Sequence, residues 1–235
     1  MQPTDPRDAV VNDDETTAAS APATGSAGER SRTRPKPGER RVLILQTLAA
    51  MLEAPKREKI TTAALAARLD ISEAALYRHF ASKAQMFEGL IEFIESTFFG
   101  LINQIVEKEP DGVLQARAIA LMLLGFAAKN RGMTRVLTGE ALVGEHERLA
   151  ERIERMIERV EASVRQCLRV ALLESNAREG GTPGAGATLP VGYDPATRAS
   201  LLISYVLGRW HRYAGSGFAT APQEHADEQL QLILR

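Results

Sequence analysis

The stretch "ITTAALAARLDISEAALYRHFASKAQMF", residues 60–87, limits what this chain can fold into more than any other. It holds three helix-start signals in quick succession. Thr61 or Thr62 opens "TTAALAARL", in which Leu65 and Leu69 recur at i and i+4. Ser72 is the next N-cap, with Glu73 in the first turn, where the positive end of the helix dipole favours an acid. Ser82, followed three residues later by Gln85, matches a capping box. Strands need apolar residues to alternate with period two, and no stretch of the chain does so. The segment therefore reads as two short helices separated by a turn at Asp70-Ile71, the second ending near Phe80, and then a longer helix.

Helical periodicity continues on both sides. From Glu39, the residues Val42, Leu45, Leu48, Ala49 and Leu52 recur at three- and four-residue spacing, and Pro55 ends that helix. The helix opened at Ser82 runs to Pro110. Further helices are expected over 113–129, over 133–144 and, as a long amphipathic one carrying Leu149, Ile153, Met156, Ile157 and Val160, over 145–178. Asp194-Pro195 reads as an N-cap and first-turn pair opening a penultimate helix, and "DEQLQLILR" is the last. Trp210 and His211 are expected to pack or cap at a dimer face. The fold class is all-α.

Charge divides the chain where hydropathy does. Residues 1–29 carry six acids and one base, residues 30–90 twelve bases and six acids, and the remainder sixteen bases and eighteen acids. Residues 1–37 hold almost no large apolar side chains and read as a disordered extension, first acidic and then basic through Arg30, Arg32, Arg34 and Lys36. That basic run suits either a solubilising linker or an arm drawn to DNA phosphates. Residues 38–90 form a basic helix-turn-helix domain and 91–235 a near-neutral helical body. The five glycines of 180–192 mark a flexible loop. The longest uncharged apolar run, Ala118–Ala128, is eleven residues, short of the roughly 20 that cross a bilayer. No membrane partner is expected. Cys167 is alone, which excludes an internal disulfide and suits a reducing cytoplasm; a small buried side chain is its expected role.

The helix opening at Ser72 has an unusual surface. Leu76 and Phe80 face Leu65 and Leu69. This turns Ser72, Glu73, Ala74, Tyr77, Arg78 and His79 outward, with Ala75 at the margin. Alanines admit a close approach and can meet thymine methyls, hydroxyls and imidazole can donate to phosphate, and Arg78 can reach phosphate or guanine. At eight residues the helix would be roughly 12 Å long, comparable with a DNA major groove. Lys83, at the start of the next helix, sits where a lysine and a helix N-terminus together hold a phosphate.

These details resemble the DNA-binding domain of the TetR family: the paired threonine, Leu-Tyr-x-His-Phe in the recognition helix, and the following Ser-Lys. The resemblance implies an all-helical homodimer with an N-terminal helix-turn-helix domain and a C-terminal dimerisation domain, each subunit reading half of a palindrome. It implies DNA contacts at Thr61, Thr62, Ser72, Glu73, Ala74, Ala75, Tyr77, His79 and Lys83, beside Arg78 from the residues themselves. Two longer stretches, "SEAALYRHFASKAQMFEGLIEFIE" and "LLGFAAKNRGMTRVLTGEALVGEHERL", are similar to the nucleoid-occlusion branch of the family. That branch binds chromosomal palindromes and antagonises the tubulin-like division GTPase FtsZ. By this likeness the partner surface falls on Phe93, Gly125, Lys129 and Asn130, whose structural alternatives are core packing for Phe93 and close helix packing for Gly125. Where that branch offers a base, this chain has Leu101.

The competing expectation is a ligand-responsive TetR-type repressor with a cavity lined by 113–129 and 195–214. An enzyme is not expected. The glycines of 180–192 precede no Lys-Ser/Thr, and His79, His146, His211 and His225 show no metal spacing. Glu145-His146-Glu147 is read on one helix, where neighbouring side chains diverge. No cofactor is expected, and the locale is the cytoplasm, at the nucleoid.

Overall fold

The computed structural model describes residues 37–54, 59–179 and 189–235. The expected extension therefore lies outside the described residues up to position 36, as do Pro55 and residues 180–188 of the glycine-rich loop. Nine α-helices are described: α1 Pro37–Leu52, α2 Thr62–Arg68, α3 Glu73–Tyr77, α4 Lys83–Lys108, α5 Gly112–Lys129, α6 Arg131–Leu137, α7 Arg148–Glu179, α8 Pro195–Gly215 and α9 Ala226–Leu234, with one 3-10 turn at Glu140–Leu142. No strand occurs among the described residues.

Local chemistry starts these helices where side chains offer acceptors to free backbone N–H groups. The N–H of Ala64 donates to Thr61 Oγ1, that of Ala75 to Ser72 Oγ, and that of Gln85 to Ser82 Oγ, each at 3.1 Å. Gln85 Oε1 accepts from Ala81 N–H, one residue before the N-cap. Asp111 caps α5. Asp194 caps α8 with Pro195 in its first turn, and the Thr197 hydroxyl and N–H hold the Asp194 carboxyl below its usual range.

Several boundaries differ from expectation. The recognition helix is five residues rather than eight, because its end tightens: the N–H groups of His79 and Phe80 both converge on Leu76 O while Phe80 turns into the core. In α1 the buried stripe is Ile44, Leu48, Ala49 and Leu52, and Val42 is exposed. The segment expected as a helix over 133–144 is α6 plus the 3-10 turn. Glu145-His146-Glu147 precedes α7, and His146 Nδ1 accepts from Arg148 N–H. Position 90, the expected domain boundary, falls inside α4, which carries the helix-turn-helix and enters the body as one helix.

The core of the body is aromatic. Phe98 of α4 meets Phe126 of α5 edge-on at 4.9 Å and Trp210 of α8 at 6.1 Å. Trp210 is fully buried within this chain and its indole N–H donates to Leu123 O at 3.2 Å, so it belongs to the core of one chain rather than to a dimer face; His211 is exposed. By length and composition α4 and α5 are apolar enough to cross a membrane, contrary to the inference from the eleven-residue run. Of the charges of α4, Glu92, Glu107 and Lys108 are exposed while Lys83, Glu88 and Glu95 are half-buried, and α5 packs among α4, α6, α7, α8 and α9.

Two contacts seat α1 on α6. Gly132 leaves room for the Ala49 carbonyl, which any Cβ would strike. Arg135 is buried and its guanidinium donates to Leu52 O and Ala54 O, both at 2.7 Å, capping the carbonyl end of α1. It also pairs with Glu140 at 3.2 Å and stands 4.9 Å over the Phe218 ring.

Candidate nucleic-acid interface and partner surface

α2 and α3 pack through Leu65 and Leu76, both buried, and leave one polar face. Ser72, Glu73, Ala74, Tyr77 and Arg78 are exposed on it, Ala75 and His79 are half-buried, and Thr61 is exposed with Thr62 half-buried beside them. The expected DNA-contact residues thus lie on α2, α3 or their caps, except His79, one residue past the C-cap of α3, and Lys83 on α4. The caps of Thr61 and Ser72 use hydroxyl oxygens as acceptors, which leaves both O–H groups free to donate to phosphate. Thr62 Oγ1 donates to Glu73 Oε2 at 2.6 Å, and the Tyr77 hydroxyl donates to Thr62 Oγ1 at 3.5 Å. These three polar ends share one spot, so the Tyr77 ring is held upright by α2 while remaining 45% exposed.

Arg41 of α1, which the motif did not single out, fixes the end of α3. Its guanidinium donates to His79 O at 2.9 Å and lies 4.1 Å over the Phe80 ring. A residue 38 positions away in sequence has no local signal, and only its basic character in α1 hinted at a role. Lys83 stands at the first position of α4 as expected, yet its ammonium pairs with Glu145 Oε1 at 2.5 Å.

On the body, Phe93 is exposed by 51%, so core packing does not explain it. Its carbonyl accepts from the Thr97 hydroxyl. Lys129 is exposed at the end of α5. Asn130 ends that helix, its side-chain amide donating to Phe126 O at 2.8 Å. Gly125 is half-buried, and a Cβ there would come 3.1 Å from the end of the Gln223 side chain, from the segment between α8 and α9. Leu101 is half-buried. Phe98 against Phe126 sets α4 and α5 side by side at this level. Along the other flank α4 is laced to α7: Glu88 pairs with Arg148 at 2.7 Å, and Glu95 with Arg152 at 2.7 Å and Arg159 at 3.4 Å.

In the region between α5 and α8 where a cavity was expected, Trp210 is fully buried and bonded to Leu123 O. A cleft of about 640 Å³ opens between α4, α5 and α7, lined by Ile102, Val106, Gln115, Cys167 and Val170 among others.

Comparison with known proteins agrees with this geometry. Residues 58–90 match the family described as bacterial regulatory proteins, tetR family, and residues 111–235 match the tetracyclin repressor-like C-terminal domain of SlmA-like type. The chain is 48% identical over 194 residues to the nucleoid occlusion factor SlmA of Alteromonas mediterranea, covering 83% of this chain and 93% of that one. It is 46% identical over 194 residues to the nucleoid occlusion factor SlmA of Idiomarina loihiensis, covering 83% and 93%. Among solved structures, the TetR-family regulator PfmR from Thermus thermophilus superposes with a TM-score of 0.61 at 19% identity, over 82% of this chain and 97% of that one. A TetR-family regulator from Bordetella parapertussis gives 0.58 at 18% identity, over 83% and 93%. At such identities the solved structures speak for the fold alone.

Proposed function

Because this chain belongs to the SlmA family of nucleoid occlusion factors, within the TetR-type DNA-binding regulators, we propose that it binds palindromic chromosomal sites as a homodimer and there restrains assembly of FtsZ. It acts in the cytoplasm, at the nucleoid, and the work is binding rather than catalysis. DNA recognition rests on α3: Ala74 and Ala75 allow close approach, Arg78 and Glu73 face base edges, and Thr61, Thr62, Ser72, Tyr77, His79 and Lys83 hold phosphates. A half-site taken by each subunit matches the two-fold symmetry of a palindrome. The partner surface is the region of Phe93, Gly125, Lys129 and Asn130, with residues 38–90 reading DNA and 91–235 carrying the dimer and partner contacts.

The observation that supports the proposal is that one continuous helix links the two candidate sites. α4 begins at Lys83, beside the DNA-facing elements, and presents Phe93 to solvent roughly 15 Å further along its axis. An exposed aromatic in a body that buries Phe98, Phe126 and Trp210 is better suited to a partner than to stability. Coupling between two sites is reciprocal, so DNA should tighten FtsZ binding by the factor by which FtsZ tightens DNA binding. Titrating FtsZ into the protein with and without a cognate palindrome tests this. Phe93→Ala should abolish the effect on FtsZ polymers while leaving DNA affinity and the unfolding midpoint unchanged. If FtsZ binds neither the free nor the DNA-bound protein, the division role is wrong, and the cleft between α4, α5 and α7 makes a ligand-responsive repressor the better account.

A further inference from the structure

The ion pair between Lys83 and Glu145 breaks the pattern around it. Elsewhere along the seam between α4 and α7, α4 supplies the acids, Glu88 and Glu95, and α7 the bases, Arg148, Arg152 and Arg159. At the DNA end the polarity reverses: α4 supplies Lys83 and the segment before α7 supplies Glu145. This pair is also the most covered of the seam. Its side chains are 21% and 11% exposed, against 49% and 29% for Arg148 with Glu88. A second ammonium is near, since Lys59, just ahead of α2, comes within 3.6 Å of where a Cβ on Gly144 would stand. Lys59, Lys83 and Glu145 line one crevice of about 390 Å³ between the helix-turn-helix and the body.

We propose that Glu145 is a brake on DNA binding, holding Lys83 against the body and neutralising it in the DNA-free protein. The proposal rests on the reading of Lys83 as a phosphate contact. An ammonium already paired with a carboxylate releases fewer counterions when it meets a phosphate, and a carboxylate that stays beside it repels that phosphate. To seat on DNA, Lys83 must leave Glu145. The bond that then breaks joins α4 to the segment running through His146, which caps α7, into Arg148 and its pair with Glu88. Glu145 thereby makes the body sense DNA directly, through a contact that exists only in the unbound form.

The test is a double-mutant cycle on the full-length chain. The measurement is affinity for a palindromic duplex selected by the parent protein and for a scrambled duplex of equal length, across a salt series. Glu145→Gln keeps a hydrogen-bonding partner but removes the charge. It should tighten binding to both duplexes about fivefold at moderate salt and steepen the slope of log affinity against log salt by up to about 0.9. Glu145→Asp, which keeps the charge but withdraws it from Lys83, should move both quantities in the same direction by less. Lys83→Ala should weaken binding. In that background Glu145→Gln should change neither affinity nor slope. The proposal is overturned if Glu145→Gln leaves binding unchanged or weaker, or tightens it equally without Lys83, which is a general charge effect. In those cases a parent that still binds its palindrome leaves the DNA-binding function standing. A parent that selects no palindrome, or a Lys83→Ala chain that binds as the parent does, removes the underlying phosphate contact and the brake with it.

Discussion

Replacing Gly132 by alanine would measure how tightly the DNA-binding helices are seated on the body. A Cβ at that position falls well inside contact with the Ala49 carbonyl oxygen, and lies 3.0 Å from the carbonyl carbon and 3.1 Å from the Leu52 Cβ. These are backbone and stem atoms of α1, so no rotamer change relieves them. Carbon atoms pack best at about 3.5–4.0 Å, and α6 must therefore withdraw by roughly 1 Å. The withdrawal stretches both bonds from Arg135 to the carbonyls of Leu52 and Ala54. Overpacking of this kind costs about 2 kcal/mol. Weakening a bond from a charged donor adds about 2 kcal/mol. The better helix propensity of alanine returns about 1 kcal/mol. The expected net loss is about 3 kcal/mol, a large part of the stability of an ordinary domain. Urea unfolding followed by circular dichroism, at one fixed chain concentration because a dimer is stabilised by mass action, reads it directly. Gly100→Ala is the control: nothing lies within 4 Å of its Cβ on α4, so the substitution should be neutral or stabilising by up to about 1 kcal/mol. The two effects have opposite signs. A Gly132→Ala chain whose midpoint rises as the control's does would refute the close approach of α1 and α6.

Tyr77→Ala should weaken binding to a selected palindrome by about 1 kcal/mol, with no change in the urea midpoint because the ring is 45% exposed; fluorescence anisotropy at matched salt checks it, and parent-like affinity would remove Tyr77 from the interface. Deleting residues 1–37 takes away Arg30, Arg32, Arg34 and Lys36, and should make the salt dependence of DNA affinity shallower by up to about 0.9 per lost phosphate contact; an unchanged slope assigns the segment to linkage alone. Burial pushes the Cys167 thiol above its ordinary pKa, so in the folded protein it should react far more slowly with a disulfide reagent at mildly alkaline pH than in urea. Equal rates in the two states would place Cys167 at the surface.

Much of the fold was legible because helix starts are local events. Thr61, Ser72, Ser82, Asp111 and Asp194 each satisfy a backbone N–H two or three residues ahead, and the distance in sequence is the distance in space. The faces of α2 and α3 followed from the same short range, since Leu65 and Leu76 could only turn inward together. Helix ends were harder to read. α3 stops early because Phe80 is drawn into a core that α1 and α4 help to build.

What tertiary structure alone decided are the groups whose partners lie far along the chain. Trp210 was expected at a dimer face, and it is a core residue because Leu123, 87 positions away, accepts its N–H within one chain. Phe93 has the composition of a core residue and the exposure of a surface one, because the helical stripe that packs inward passes through Leu90, Ile91, Ile94 and Phe98 instead. Arg135 looks like an ordinary surface base in "MTRVL", but it is buried to cap carbonyls more than 80 positions earlier. Glu145 looked like part of a solvated helix, and it is the partner of Lys83, 62 positions before it. Periodicity and capping are properties of neighbours along the backbone, and the sequence displays them directly. Which charges meet depends on how whole helices are stacked, and that is settled by the sum of many apolar contacts that no single segment contains.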